Sequence, residues 1–131
     1  MRKLFYLVLG TILVTACNSN SPKAVAEKSI ECIMDEDFDG YVDLNYFKKS
    51  DMEDKEELQR DKELMADLMK SKYYRKNDSL HIKDYKFISE EIKDSVASVK
   101  LEVVNKKGEK DTMDIKLKIN CEGDWRITNG I

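Results

Sequence analysis

The acidic stretch at residues 35 to 43 has the residue types and most of the spacing of a calcium-binding loop. It carries Asp35, Asp37, Asp39, Gly40 and Asp43, at EF-hand loop positions 1, 3, 5, 6 and 9. Position 12 must supply a bidentate glutamate, and here it is Tyr46, a neutral phenol. The stretch is therefore a near-miss for calcium, any site would be weak, and we predict no metal or other cofactor. The alternative is a helix junction in which Asp37 or Asp39 caps the following helix.

Two cysteines of the domain could serve a structural purpose. Cys32 falls in a predicted helix and Cys121 at the end of a predicted strand. An oxidising compartment would allow a disulfide between them, but their geometry decides it. The alternative is that both are small buried hydrophobic residues. Zinc would require Cys32, Cys121 and the single histidine, His81, to meet.

The first 17 residues predict export and lipid anchoring. A basic start, Met1 to Lys3, precedes 12 uncharged and mostly apolar residues, too few for a stable membrane-spanning helix. The run ends in Val-Thr-Ala-Cys, which resembles the bacterial lipobox, and this resemblance implies that Cys17 is acylated and becomes the mature N-terminus. An ordinary signal peptide with a chance cysteine is the alternative. We expect a lipoprotein of the cell envelope, on the periplasm-facing side of the outer membrane.

The composition after the signal peptide excludes one class of partner. Loss of Arg2 and Lys3 leaves 21 basic residues (23 minus 2) against 26 acidic ones. An acidic domain without a basic stripe argues against nucleic acid. Residues 18 to 21 form a short polar tether, and residues 22 to 131 suffice for one domain with its own core.

The first half of the domain has helical periodicity. Ser21-Pro22 is a helix start, and the apolar spacing predicts a helix to about Met34. A second helix is predicted over residues 38 to 47. The pattern Ser50-x-x-Glu53 reads as a capping box for a third helix that ends near Lys72. Its predicted buried stripe is Leu58, Leu64, Met65, Leu68 and Met69.

The second half alternates as strands do. Residues 80 to 92 predict a strand with a bulge, and residues 95 to 104 a more regular strand. Asn105 to Gly108 is a hairpin turn, and apolar and polar residues then alternate strictly to Ile119. Residues 125 to 127 form a last short strand. Helices followed by an antiparallel meander indicate an α+β domain with helices on one face of the sheet.

Three short segments carry a resemblance to a known family. Ser21-Pro22, Glu36-Asp37-Phe38 and the closing Gly-Asp-Trp-Arg-Ile, residues 123 to 127, resemble bacterial lipoproteins of the lumazine-binding-like family. The family belongs to the nuclear-transport-factor-2-like, cystatin-like fold group, which implies a cone-shaped domain with a curved sheet. No flavin-specific motif accompanies the resemblance, so it implies no lumazine binding.

The resemblance also suggests where a ligand would bind. The cone would be lined by aromatic candidates together with the histidine: Tyr73, His81, Tyr85, Phe87 and Trp125. The fold group includes isomerases that use such a cavity, and His81, Tyr73, Tyr74, Asp84 and Tyr85 could supply acid–base groups. A fold alone does not confer an activity, and we predict that the protein is not an enzyme.

Three functions follow from these expectations. The first is a non-enzymatic envelope lipoprotein that binds a small apolar ligand or a protein partner. The second is a small isomerase or dehydratase, and the third is an inhibitor or immunity-like protein whose acidic surface covers a basic target. Fold-mates dimerise through the sheet. Here that face would carry Thr112, Asp114, Lys116 and Lys118, whose charges predict at most a weak homodimer.

Overall fold

The computed structural model describes residues 20 to 75 and 80 to 128. The predicted signal peptide, the predicted lipidation residue Cys17 and the first part of the predicted tether lie outside the described residues. Within these two ranges, four α-helices precede four strands. The helices are α1 (Pro22–Met34), α2 (Phe38–Asp43), α3 (Lys49–Glu53) and α4 (Lys55–Tyr74). The strands are β1 (Ile82–Lys93), β2 (Val96–Asn105), β3 (Lys110–Ile119) and β4 (Trp125–Ile127). No helix in these two ranges is long and apolar enough to cross a membrane.

The strands form one antiparallel sheet in the order β1-β2-β3-β4. The predicted bulge in the first strand is present, because the pairing of β1 with β2 shifts register between Phe87 and Ser89. The side chains on one face are buried under α1, and those on the other face are exposed. The α+β arrangement with helices on one face of the sheet is therefore confirmed.

The hydrophobic core lies between α1 and the sheet. Ile30 and Ile33 of α1 and Val99 and Leu101 of β2 have no exposed surface, and Leu117 of β3 is 2% exposed. The helix begins as predicted, because the Ser21 hydroxyl accepts a hydrogen bond from the Ala24 amide and Pro22 occupies the first turn. Burial of apolar surface contributes about 25 cal/mol per Å², so this layer supplies much of the stability.

The acidic stretch at residues 35 to 43 is a helix junction. The Asp37 amide bonds the Cys32 carbonyl and the Glu36 amide bonds the Ile33 carbonyl, while Glu36 has a φ of +57°. This is the Schellman ending of a helix, with a glutamate where glycine is usual. The Asp37 carboxylate then caps α2 by accepting from the Gly40 amide at 3.0 Å. A side chain on Gly40 would lie 2.4 Å from that carboxylate, so this glycine allows the cap to approach.

Two helix predictions were wrong in detail. The second helix ends at Asp43, because Asn45 leaves it to form a parallel bridge with Ile127 of β4. The predicted third helix is two helices, α3 and α4, and the side chain that caps α4 belongs to Asp54 and not to Ser50. The Asp54 carboxylate accepts from the amides of Glu56 and Glu57, both at 3.1 Å. A carboxylate at a helix N-terminus also interacts favourably with the helix dipole.

Candidate functional site

Only a narrow face of helix α4 packs against the rest of the domain. Its buried residues are Ala66, Met69 and Tyr73, which follow each other at helical spacing, and its main packing partner is α2. Leu64 and Leu68, predicted to belong to the buried stripe, are 60% and 56% exposed. The prediction of a single buried stripe was therefore wrong for these two leucines. They form a second apolar stripe beside Met65 and Met69, and α2 is too short to cover both.

A groove runs between α2 and α4 along this second stripe. Its volume is about 160 Å³, and it is lined by Tyr41, Val42, Asn45, Met65, Leu68, Met69 and Lys72. The buried Asn45 amide donates to the Tyr41 carbonyl at 2.9 Å and fixes the end of α2. The flexible thioethers of Met65 and Met69 can adapt their shape to an incoming apolar group. The groove thus has a largely apolar floor that can change its shape.

An acidic depression adjoins the groove at Val42. Val42 lines both spaces, and the depression is further lined by Asp39, Asp43, Gln59, Lys62 and Glu63. The Lys62 ammonium lies 3.1 Å from the Asp43 carboxylate and so neutralises one of the three acidic groups. An apolar floor that leads into a net negative depression suits a segment with an apolar side chain followed by a basic one.

The predicted cavity residues do not surround one space. Tyr73 and His81 lie together beyond the C-terminal end of α1, where Phe38 packs edge-on against Tyr73. Tyr85 and Phe87 lie along α1, and Trp125 lies at its N-terminal end. Helix α1 has 13 residues, so about 20 Å separates the two ends. The five candidates are spread along α1 instead of lining a single cone.

The histidine and the tyrosines are engaged in local contacts. The ring of His81 stacks on Tyr73 with centroids 4.1 Å apart, and its Nε2 atom lies 2.8 Å from the Tyr73 carbonyl oxygen. The Tyr74 hydroxyl donates to the Glu36 carboxylate, and this hydrogen bond raises the pKa of Tyr74. The Asp84 carboxylate accepts from the backbone amide of Tyr85. These side chains therefore make hydrogen bonds and ring contacts with other residues of the domain.

Tyr85 gives a prediction about pH. Its hydroxyl donates to Glu31 at 2.6 Å, and this hydrogen bond raises the pKa of Tyr85 to about 12 from 10.0. Because the folded-state pKa is the higher one, this contribution to stability is complete below pH 10.0 and is lost as the pH rises through about 12. We expect Glu31→Gln to lower the pKa of Tyr85, measured by carbon NMR of labelled tyrosine rings with Tyr85→Phe for assignment. Glu27→Gln is the matched control, with a smaller decrease.

The cysteines and the acidic residues have structural places. Cys32 and Cys121 are free thiols, so the structure does not contain the disulfide considered above. Cys32 is buried in α1, and burial raises the pKa of its thiol, whereas Cys121 is exposed in the turn before β4.

Within residues 20 to 75 and 80 to 128, no group of three or more histidine, cysteine, aspartate or glutamate side chains converges as metal ligands. The calcium-like pattern is explained by the helix junction.

The sequence interpretation missed the groove, although a signal was present. The five apolar residues of the predicted stripe, from Leu58 to Met69, span too wide an arc of α4 to be buried against a six-residue helix.

The sequence interpretation also missed a contact at the start of the domain between Asn20 and the backbone of Trp125. The Asn20 side chain accepts from the Trp125 amide at 2.6 Å and donates to the Trp125 carbonyl at 3.4 Å.

Comparisons with known proteins identify the fold. No family model and no curated protein matches the chain. A solved structure from Campylobacter jejuni, described as NTF2-like with a proposed transpeptidase activity, is 12% identical with a TM-score of 0.61, covering 84% of this chain and 99% of that one. A SEC-C motif-containing protein from Rhodopseudomonas palustris is 16% identical with a TM-score of 0.52, covering 85% and 77%. At these identities the likeness concerns the fold alone, and the lumazine-binding-like family stays a prediction. The chain has the nuclear-transport-factor-2-like fold.

Proposed function

We propose that this is a non-enzymatic, lipid-anchored envelope protein whose domain binds an amphipathic segment of a protein partner in the groove between α2 and α4. The observation that carries the proposal is the exposed apolar stripe of Leu64 and Leu68 beside a groove floored by Met65 and Met69. Exposed apolar surface next to a concave site is typical of protein–protein contact.

The size of the groove favours a protein segment over a small molecule. Enclosed small-molecule sites have volumes of about 300–1,000 Å³, whereas this groove has about 160 Å³ and is open to solvent. That volume accepts one or two side chains from a partner. Leu68 in the groove lining and Leu64 next to the groove would then cover the backbone and the neighbouring side chains of the same segment. A helix with apolar residues at i, i+3 and i+7 presents such a stripe.

The acidic depression defines the partner further. Asp39 and Glu63 line this depression, which shares Val42 with the groove. A basic side chain one turn beyond the apolar anchors of a partner helix would lie against these carboxylates. Such complementarity raises specificity and the rate of association more than the affinity itself. The proposal therefore also accommodates the inhibitor-like alternative, in which an acidic surface covers a basic target.

The contacts of His81 and the tyrosines support a non-enzymatic role. The ring of His81 stacks on Tyr73, and its Nε2 atom lies 2.8 Å from the Tyr73 carbonyl oxygen, so this side chain makes structural contacts. The pKa of Tyr85 is about 12, far from the range useful for proton transfer at neutral pH. These groups stabilise the junction of α1, α4 and β1.

The proposal is tested with a labelled model peptide. The probe is a helical peptide with leucines at i, i+3 and i+7 and lysines at one end, and its binding is followed by fluorescence anisotropy. We expect Leu68→Gln to weaken binding about ten-fold or more, because a buried leucine contributes about 1.5–3 kcal/mol. Ile88→Gln, at an exposed position on β1, is the matched control and should leave binding unchanged.

A second peptide separates the alternatives. Replacing its lysines by glutamates should weaken binding, because these would face Asp39 and Glu63. Equal binding of both peptides would remove the acidic depression from the proposal. Binding that Leu68→Gln and Ile88→Gln reduce equally would contradict the groove. If neither peptide binds while a small apolar dye does, with dependence on Leu68, the small-ligand alternative replaces the protein partner.

A further inference from the structure

Helix α4 carries a line of exposed residues with acidic groups at its start, leucines at its centre and a basic group at its end. Their spacing alternates between four and three residues, as in the seam of a coiled coil. Because an α-helix turns by about 100° per residue, they lie within about 40° of one line along the helix. The six residues, which we call the α4 seam, are Glu57, Asp61, Leu64, Leu68, Ser71 and the cap residue Arg75.

The α4 seam is complementary to itself when one copy is reversed. Ala66 is its midpoint, since Leu64 and Leu68 lie two residues before and after it, and Glu57 and Arg75 lie nine residues before and after it. In an antiparallel pair with a two-fold axis beside Ala66, Leu64 of one copy therefore faces Leu68 of the other. Glu57 likewise faces Arg75, about 14 Å from the axis. A parallel pair would instead bring like charges together at both ends.

The charges on and beside the α4 seam balance within one copy. The N-terminal half has two acidic groups and one basic group, and the C-terminal half has one acidic and two basic groups: Glu57, Arg60 and Asp61, then Asp67, Lys72 and Arg75. An antiparallel pair thus brings halves of opposite net charge together. Asp67 comes near its own copy beside the axis, but it lies about 80° from the seam. There it is exposed, and water weakens the repulsion.

Arg75 and Glu57 hold their charges at the two ends of the α4 seam. The Nε atom of Arg75 donates to the Ser71 carbonyl at 3.4 Å, which keeps the guanidinium beside the last turn of α4. The other N–H groups of a guanidinium can still bind a carboxylate. Glu57 binds the Asp54 carboxylate of the helix cap with its backbone amide, so the cap does not occupy the Glu57 carboxylate.

We propose that the helical partner of this surface is α4 of a second copy, packed antiparallel along the α4 seam. This inference rests on the proposed function, because it names the partner that covers Leu64 and Leu68. Helix α4 has the features expected of that partner, since its leucines are followed by Lys72 and Arg75. Met65, which lines the groove, flanks the contact in both copies.

The contact is small, so the dimer is weak. Stable interfaces bury about 1,200–2,000 Å² in total, more than two leucines from each copy supply. Association must therefore depend on protein concentration, and the end charges set the direction of the two helices more than the affinity.

Energy transfer between dyes on two populations of the full chain measures this association. The exposed thiol of Cys121 carries the dye, whereas Cys32 is buried. Donor and acceptor chains are mixed in a mild detergent, and we expect transfer to rise with protein concentration. Leu68→Gln should raise the dissociation constant about a hundred-fold, because each of the two copies loses about ten-fold. Ile88→Gln, at an exposed position on β1, should leave it unchanged and controls for chains that share a micelle.

Charge reversal tests the antiparallel direction. Glu57→Arg and Arg75→Glu should each weaken association about ten-fold, because each change turns two opposite-charge pairs into like-charge pairs. A mixture of Glu57→Arg donor chains with Arg75→Glu acceptor chains should regain the wild-type transfer, since every facing pair again has opposite charges. Single variants that associate as the wild type does would overturn the antiparallel pairing, as would a mixture that associates no better than either variant alone.

The helical peptide used to test the groove separates this inference from the proposed function. It should lower the energy transfer, because the peptide and the second copy both need Leu68. If the peptide binds but the wild-type chain gives no transfer at any concentration, the second copy is refuted and the groove keeps another partner. Transfer that Leu68→Gln leaves unchanged would place the dimer contact elsewhere and also refute the inference. Absence of both peptide binding and transfer would refute both proposals.

Discussion

Ile30→Ala is expected to lower the free energy of unfolding by about 2–5 kcal/mol, the range for isoleucine-to-alanine changes in a packed core. Ile30 has no exposed surface and lies on the face of α1 that packs on the sheet. Removal of its side chain leaves a cavity that α1 cannot close, because its neighbours Ala26 and Ile33 are also fully buried. A domain of this size has a total stability of about 5–15 kcal/mol, so the loss is a large share of it.

Urea unfolding followed by the fluorescence of Trp125 measures this effect, and Leu64→Ala is the matched control. Leu64 is an aliphatic residue of a helix, as Ile30 is, but it is 60% exposed. We expect its replacement to change the stability by no more than about 0.5 kcal/mol. If Leu64→Ala lowered the free energy of unfolding as much as Ile30→Ala does, the second apolar stripe of α4 would be part of the core. The groove would then have no exposed apolar surface for a partner to bind.

The contrast between Ile30 and Leu64 shows what the sequence could predict. Helix α1 and strands β2 and β3 have one apolar face each, and the periodicity of the residues identifies that face without further information. Helix α4 has an apolar arc wider than its partner. Periodicity predicts the direction in which such an apolar arc faces, but not what fraction of it α2 covers. The covered fraction depends on the length of α2, which ends early, at Asp43.

The boundary between α3 and α4 could not be predicted because two caps compete. Ser50-x-x-Glu53 and Asp54-x-x-Glu57 are both plausible starts, four residues apart. The structure uses Asp54, whose carboxylate accepts two backbone hydrogen bonds. Local sequence ranks these caps almost equally, so contacts of α3 and α4 with the rest of the fold decide between them.

For residues 35 to 43, the sequence predicts the helix junction as an alternative to a calcium loop, but not which residue caps the second helix. Tyr46 stands where a calcium loop needs a glutamate, and the alternative that the sequence offers is a helix cap at Asp37 or Asp39. The structure selects Asp37. It also places Glu36 in a left-handed conformation that glycine usually adopts. The Glu36 carboxylate is thereby held beside Tyr74, a contact between distant residues that sequence spacing cannot predict.

Cys17→Ser is expected to abolish acylation of the protein altogether. The lipobox-like Val-Thr-Ala-Cys places the cysteine at the position whose thiol would carry the lipid. Each buried methylene contributes about 0.8 kcal/mol to membrane affinity, so several acyl chains hold a protein firmly. Cells grown with labelled fatty acid should give a labelled wild-type protein whose mass matches a mature chain starting at Cys17. The variant should carry no label and should keep the mass of an unacylated chain.

The other cysteines provide matched controls for this experiment. Cys121→Ser removes an exposed thiol and Cys32→Ser a buried one, and both variants should keep the label, because only Cys17 follows the apolar run. Loss of label in Cys121→Ser alone would move the lipid to the turn before β4. A wild-type chain without label, cleaved before or after residue 17, would show an ordinary signal peptide. The partner of the groove would then be sought among exported proteins that are free of the membrane.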